Sequence, residues 1–257
     1  MLTFVTHQPS PLLQNCELTF LKSEPIDYKK ALIEHSDYCN MLTNCGANVI
    51  TLKDNFLSPD SVFVEDPIIV FDEVAVLTSM GVTSRREEGE YLKLYFCHHR
   101  HIEKISLPAK IEGGDVLKIG KRIYIGESPR TNQLGIKALS DIIVPLGYEV
   151  YPVRVSGCLH LKTGCTALDE GTILINPDWV DGKPFSGYKK IKTVPKEPFG
   201  ANVLPINNTI CMNAAFPKTI DLVSSLGYAV AATDITEFVK AEAGLTCMSI
   251  AFLESQQ

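Results

Sequence analysis

The stretch RIYIGESPRTNQLGIKALSDIIVPLGYEVYPV (122–153) decides the fold class. It opens with a short β-branched and aromatic run and passes through a polar loop. It then takes up helical spacing, stops at the glycine of LGY, and resumes as a strand. The same order returns in TICMNAAFPKTIDLVSSLGYAVAAT (209–233). A strand, a helix and a following strand within about 30 residues is an α/β unit, and its recurrence points to a repeat architecture.

Working outward, VAVLTS (74–79) leads to the helix-like run SRREEGEYLKLYF (84–96). MLTFVTHQP (1–9), YKKALIEHSDYCNML (28–42) and NCGANVITL (44–52) make a matching first member. TILINPDW (172–179) has the strand without a clear helix, so it reads as a degenerate member. Four clear units and one degenerate unit predict a cyclic α/β repeat in a single domain spanning 1–257. Helices should lie outside, and loops at one end of the strands should converge on the axis.

Composition sets the outer limits. Of 257 residues, 45% are hydrophobic and 21% charged, which is enough to bury a full core. No apolar run approaches the roughly 18 residues of a membrane span, and the N-terminus has no basic start followed by a continuous apolar run. A soluble, cytoplasmic protein is the expectation. The net charge of −6 argues against a nucleic-acid binder and suits a cationic small molecule. The eight cysteines follow no CxxC or disulfide-scaffold spacing and are expected as free thiols. Asn207 begins an N-x-T sequon and reads as an ordinary loop asparagine without secretion.

Chemistry-bearing residues gather in six short segments: SPDSVFVEDP (58–67), SRRE (84–87), IEGGDVLKIG (111–120), GESPRTN (126–132), CLHLKTG (158–164) and GLTCMS (244–249). A cysteine nucleophile needs a base or an electropositive setting, and a histidine needs a carboxylate to set its tautomer. Taken alone, His160 between two leucines on a strand reads more readily as a core histidine than as a catalytic one, and Cys247 as a small buried hydrophobe.

In order and approximate spacing, these segments resemble the dimethylarginine dimethylaminohydrolase family, most closely its short bacterial members. That family belongs to the guanidine-modifying superfamily with the five-bladed α/β propeller (pentein) fold. The resemblance implies a hydrolase converting asymmetric dimethylarginine and monomethylarginine to citrulline and an amine, with no cofactor and no metal. It implies Cys247 as nucleophile, His160 as general acid and then base, and Glu112 as the carboxylate paired with His160. Asp66 would hold the substrate guanidinium, with Glu65 beside it and Phe63 in the pocket wall. Arg85 and Arg130 would grip the α-carboxylate, and Asp60 would lie near the α-amine. Leu18, in CELTF (16–20), matches a lid residue offering its backbone carbonyl. Ala241 falls at another backbone contact, although its side chain is not the family's usual one. A small-molecule substrate, no nucleic acid or membrane partner, and a homodimer follow from the same resemblance.

Lys162 stands two residues after the histidine, where arginine deiminases carry an aspartate, and this favours N-methylated substrates. Ser79-Met80 departs from the family's frequent Arg-Pro. Deimination or hydrolysis of free arginine or another small guanidine, and a non-enzymatic pentein binding protein, are the alternative functions.

Three local patterns have plainer explanations. In FCHHRH (96–101), Cys97 and His101 are predicted helical i, i+4 neighbours, and the cluster with His98 and His99 suits a metal or a surface helix end. Ser84 reads as the N-cap of the helix carrying Arg85 and Arg86. The glycines of EGGDVLKIG precede no helix, so a dinucleotide loop is excluded.

Overall fold

The computed structural model describes residues 1–254. Its strands form five three-stranded sheets, each with a central strand parallel to one neighbour and antiparallel to the other. In the first, β1 (Leu2–His7) lies between parallel β2 (Asn48–Leu52) and antiparallel β15 (Ile250–Leu253). In the second, β4 (Val74–Leu77) lies between antiparallel β3 (Ile68–Val70) and parallel β5 (His101–Lys104). The third sets β7 (Arg122–Glu127) between β6 (Val116–Ile119) and β8 (Glu149–Arg154). The fourth sets β10 (Thr172–Ile175) between β9 (Cys165–Ala167) and β11 (Lys189–Lys192). The fifth sets β13 (Thr209–Asn213) between β12 (Leu204–Ile206) and β14 (Ala229–Thr233).

The crossover to each parallel strand is a helix in four sheets: α1 (Tyr28–Asn44), α2 (Gly89–Phe96), α3 (Gln133–Ile143) and α5 (Pro217–Ser225). Between β10 and β11 the chain carries no α-helix. This is the degenerate member expected at TILINPDW. Helix starts follow local chemistry: Asp27 accepts from the Lys29 and Lys30 amides, and Asn132 from the Gly135 amide. Both LGY glycines adopt left-handed backbone, with φ of 86° at Gly147 and 93° at Gly227, which lets the chain turn back into β8 and β14.

The five antiparallel strands ring a common axis. Ile68, Val116, Ala167, Leu204 and Ala251, one from each of β3, β6, β9, β12 and β15, line one cavity of about 330 Å³. The pairing of β15 with β1 joins the chain's two ends and closes a five-bladed α/β propeller. Apolar clusters fill the gaps between blades; under α1, Phe4, Tyr38, Leu42, Phe238, Leu245 and Met248 are buried together. Burying each large side chain is worth about 1.5–3 kcal/mol. The Tyr38 hydroxyl donates to the Leu245 carbonyl at 2.9 Å and meets Ser249 Oγ at 2.7 Å, so α1 braces the segment that carries Cys247.

Three local expectations change. The helix expected from Ser84 begins only at Gly89, and Thr83–Arg85 form one 3₁₀ turn. Ser84 caps no helix, because its hydroxyl donates to the Glu17 carboxylate. The helix ends at Phe96 and His101 opens β5, so Cys97 and His101 share no helix face. The Cys97 thiol donates to the Leu94 carbonyl, and His101 pairs with Glu103 at 3.1 Å. His160 is not on a strand: it immediately precedes the short helix α4 (Leu161–Gly164). No helix among the described residues is long and apolar enough to cross a membrane.

Candidate active site

The site follows from the ring. Each antiparallel strand runs inward from a loop, and each loop places a polar side chain just before its strand: Asp66 before β3, Glu112 before β6, His160 ahead of β9, Asn202 before β12 and Cys247 before β15. Five segments separated by almost 200 positions thus meet at one end of the axis. Sequence reasoning found four of these positions and missed Asn202.

His160 and Glu112 form the centre. His160 Nε2 lies 2.8 Å from Glu112 Oε2, and Nδ1 lies 4.0 Å from Asp66 Oδ1; all three side chains are buried. The other Glu112 oxygen accepts from the Gly81 amide at 2.8 Å and from Arg130 Nη1 at 3.3 Å. Asp66 accepts from the Gly114 amide at 3.1 Å and from Arg85 Nη1 at 3.0 Å. The double glycine of IEGGD is a requirement of this crowding. A Cβ on Gly114 would stand 2.5 Å from His160 Nδ1, and one on Gly113 only 1.9 Å from the Glu65 carbonyl.

Electrostatics follow from the packing. Burial alone lowers the His160 imidazole, but Asp66, Asp115 and Glu112 outweigh it and raise it to about 9, so it is an imidazolium at neutral pH. Burial works to raise Asp66 and Glu112, yet His160 and Arg85 hold both below the usual carboxylate range. The Cys247 thiol is pushed up to about 12, first by burial and then by Glu65 and Asp66, against opposing effects from the Gly244 amide and Lys162. Cys247 keeps partial exposure, and its Sγ accepts from the Gly244 amide at 3.4 Å within the 3₁₀ turn Leu245–Met248.

Arg85 is buried among carboxylates. Its Nε donates to Glu88 at 2.9 Å and lies 3.8 Å from Asp60, while Nη2 reaches the Phe63 carbonyl at 3.4 Å. Burial raises Asp60 to about 7 against the pull of Arg85. Glu65 is paired with Lys162 and accepts from Thr246 Oγ1 at 2.9 Å; burial nevertheless raises its carboxyl. Leu18 is half-buried in the loop above Asp60, whose two oxygens both accept from the Glu17 amide at 3.3 Å. Ala241 is buried just after α6 (Thr236–Val239), in the apolar cluster that also holds Phe63.

Several members of this network escaped sequence reasoning. Asp115 is buried, accepting from the Leu161 amide at 2.8 Å and Ser128 Oγ at 2.6 Å, and so fixes the start of α4 beside His160. Its place in GGDVL was the available signal. Glu88, three residues after Arg85, was readable as its partner. Asn202 clamps two loops: Nδ2 donates to the Lys162 carbonyl at 2.9 Å and to Thr246 Oγ1 at 3.1 Å, while Oδ1 accepts from the Thr246 amide at 3.2 Å.

Donor atoms of Asp66, Glu112 and His160 lie within 4.8 Å of one another, the spacing of a metal site. Arg85 and Arg130 already contact these carboxylates, so both acids carry cationic partners from the chain itself. Around the centre, six carboxylates (Asp60, Glu65, Asp66, Glu88, Glu112, Asp115) face four cationic side chains (Arg85, Arg130, His160, Lys162). Burial raises Asp60, Glu65, Glu88 and Asp115, so the negative charge of the centre rests chiefly on Asp66 and Glu112, which suits a cationic ligand.

Comparison with known proteins agrees. A family model described as "N,N dimethylarginine dimethylhydrolase, eukaryotic" matches residues 14–182. The N(G),N(G)-dimethylarginine dimethylaminohydrolase of Pseudomonas aeruginosa is 34% identical over 88% of this chain and 90% of its own. The Streptomyces coelicolor protein of the same name is 35% identical over 97% and 96%. A crystal structure of the Pseudomonas enzyme, a cysteine-to-serine variant complexed with citrulline, superposes with a TM-score of 0.92 at 31% identity, covering 97% of this chain and 98% of that one. The N-terminal domain of a cyanobacterial arginine dihydrolase, at 20% identity and a TM-score of 0.86, shares the fold. The chain belongs to the dimethylarginine dimethylaminohydrolase family.

Proposed function

We propose that this protein hydrolyses N-methylated L-arginines to L-citrulline and methylamine or dimethylamine, through a covalent thiouronium on Cys247. One observation carries the reading: His160 is held 2.8 Å from Glu112 and 4.0 Å from Asp66, and Asp66 also acts on the Cys247 thiol, in a chain of this family.

A guanidinium carbon is a poor electrophile until its N–H groups are fixed. Asp66 has one oxygen on Gly114 and one on Arg85, and its remaining acceptor capacity suits a charge-assisted bond to the substrate's planar fork. The arriving cation offsets the field of Glu65 and Asp66 that disfavours the thiolate, and the thiol proton passes to bulk solvent, since His160 is already protonated. Sulfur then bonds to the guanidinium carbon. As the C–N bond breaks, His160 gives its proton to the departing amine, a contribution of about 10²–10⁴-fold. Neutral His160 next takes a proton from water, whose oxygen attacks the thiouronium carbon. The C–S bond breaks as the adduct's hydroxyl loses its proton to form the ureido carbonyl, and the departing thiolate takes up a proton from solvent, regenerating the cysteine beside a protonated His160.

In this reading Arg85 and Arg130 share their guanidinium groups with the substrate carboxylate, and Asp60 takes the α-amine. Leu18 and Ala241 contribute backbone contacts, and Phe63 and Glu65 shape the wall. Lys162 already occupies Glu65, so no second free carboxylate faces the guanidinium, which suits an alkylated nitrogen. A cytoplasmic setting, a single domain and a homodimer complete the proposal, the last checked by sedimentation.

The test is citrulline release from asymmetric dimethylarginine, monomethylarginine and arginine, with Cys247→Ser as control. Methylated substrates should be consumed and the variant should be inactive. Turnover of arginine alone overturns the substrate, and undiminished activity in the variant overturns the mechanism.

A further inference from the structure

We infer that Glu242 is a positioning residue for substrate binding. It lies outside the charged centre and acts by holding the loop that carries Leu18. Oε1 of Glu242 accepts from three successive backbone amides, Thr19 at 3.1 Å, Phe20 at 2.5 Å and Leu21 at 2.5 Å; Oε2 also accepts from Thr19 at 3.0 Å. Successive N–H groups turned to one side make an anion-binding concavity. Here its anion is a side chain more than 220 positions away.

Two further observations support this role. Glu242 adopts φ of +61°, a left-handed backbone that glycine or asparagine normally fills after a helix. It stands just beyond α6, where the Ala243 amide returns to the Phe238 carbonyl at 3.1 Å. A glutamate in a glycine position keeps an unfavourable backbone in order to place its carboxylate. The loop it holds is also tied into the charged centre, since Thr19 Oγ1 accepts from Arg130 Nη2 at 2.7 Å and the Glu17 amide reaches Asp60. Fixing residues 19–21 therefore sets the Leu18 carbonyl and the hydroxyl partner of Arg130 together. A binding-competent loop populated only part of the time lowers apparent affinity by that fraction.

This inference rests on the proposed guanidine hydrolysis for its kinetic readout, so the experiment has a second arm independent of any substrate. In Glu242→Ala, hydrogen exchange at the Thr19, Phe20 and Leu21 amides should accelerate about tenfold while the strands stay protected. KM for the guanidine substrate should rise about tenfold with kcat held within about threefold. Glu242→Gln, which keeps one acceptor oxygen, should fall between. Glu242→Gly relieves the backbone, so it should loosen the loop equally while the melting temperature holds or rises. Millimolar formate, a carboxylate able to enter the vacated concavity, should restore part of the protection in Glu242→Ala. Unchanged exchange at 19–21, or a fall in kcat at constant KM, overturns the role, as does a lowered melting temperature in Glu242→Gly with the loop unaffected. If the wild type turns over no guanidine, the functional reading fails and exchange still decides the role of Glu242.

Discussion

The two halves of the site are prepared very differently. On the histidine side, His160, Glu112 and Asp66 are buried and interlocked, and both carboxylates are further held by arginines and backbone amides. On the cysteine side, Cys247 keeps partial exposure, and its sulfur makes one long contact with the Gly244 amide. The histidine side is charged and assembled before any ligand arrives. The cysteine side is a neutral thiol.

Acidity alone does not single out this thiol. Cys158 and Cys16 are raised to about 12 as well. Cys165 is raised by burial alone, a condition that no ligand reverses. For Cys247, the next causes after burial are Glu65 and Asp66, and a guanidinium docked on Asp66 opposes that negative field. In the proposed mechanism the proton donor is thus preorganised, while the nucleophile is completed by the substrate.

The strongest way to break the contrast is to remove the sulfur. Cys247→Ser should lower kcat by about 10³-fold or more, with melting temperature and far-UV dichroism unchanged, because the side chain's packing is nearly conserved. Glu112→Gln keeps the shape beside His160 but removes a charge that raises it. Turnover should fall about 10²-fold, and the alkaline limb of kcat/KM should move down from near pH 9 toward the ordinary histidine value of 6.5. The stability effect has a definite sign. The folded pKa of His160 lies above its unfolded value, so its contribution is complete below about pH 6.5 and is lost as pH rises through about 9. Denaturant midpoints of Glu112→Gln against wild type should converge across that interval.

Lys162→Met sharpens the cysteine half. Lys162 is the side chain that opposes the negative field at Cys247, so removing its charge should raise the thiol further and slow turnover about tenfold. Acceleration in that variant contradicts the placement of charge described here. The smallest effect belongs to Asn202→Ala. Losing its bonds to the Lys162 and Thr246 loops should destabilise the protein by about 1–3 kcal/mol, read as a lower denaturant midpoint, with kcat reduced only a few-fold.

Residues acting through local chemistry were the legible ones. The LGY stops, the strand–helix order and the missing fourth helix were visible because turn chemistry and periodicity are local properties. The closure of β15 on β1 joins residues about 250 positions apart and leaves no local mark. Within the site, Asp66, Glu112, His160 and Cys247 stood out only through the six co-ordered segments, since each alone has an ordinary structural explanation. Asn202 and Glu242 were not legible, because they act through hydrogen bonds to backbone of distant loops, and neither residue type signals such a partner. His160 was misplaced onto a strand because its flanking leucines imitate alternation; the Leu161 amide instead bonds Asp115 as α4 begins.

The central claim is that a cation completes the nucleophile. Its direct test is a pH titration of thiolate absorbance near 240 nm, wild type minus Cys247→Ser, with and without a saturating non-hydrolysed alkylamidine. The account predicts no Cys247 thiolate in the empty protein up to about pH 10, in keeping with a thiol raised to about 12, and a downward shift of more than one pH unit when the cation binds. A thiolate already present at neutral pH without ligand, or a titration the amidine leaves in place, contradicts it.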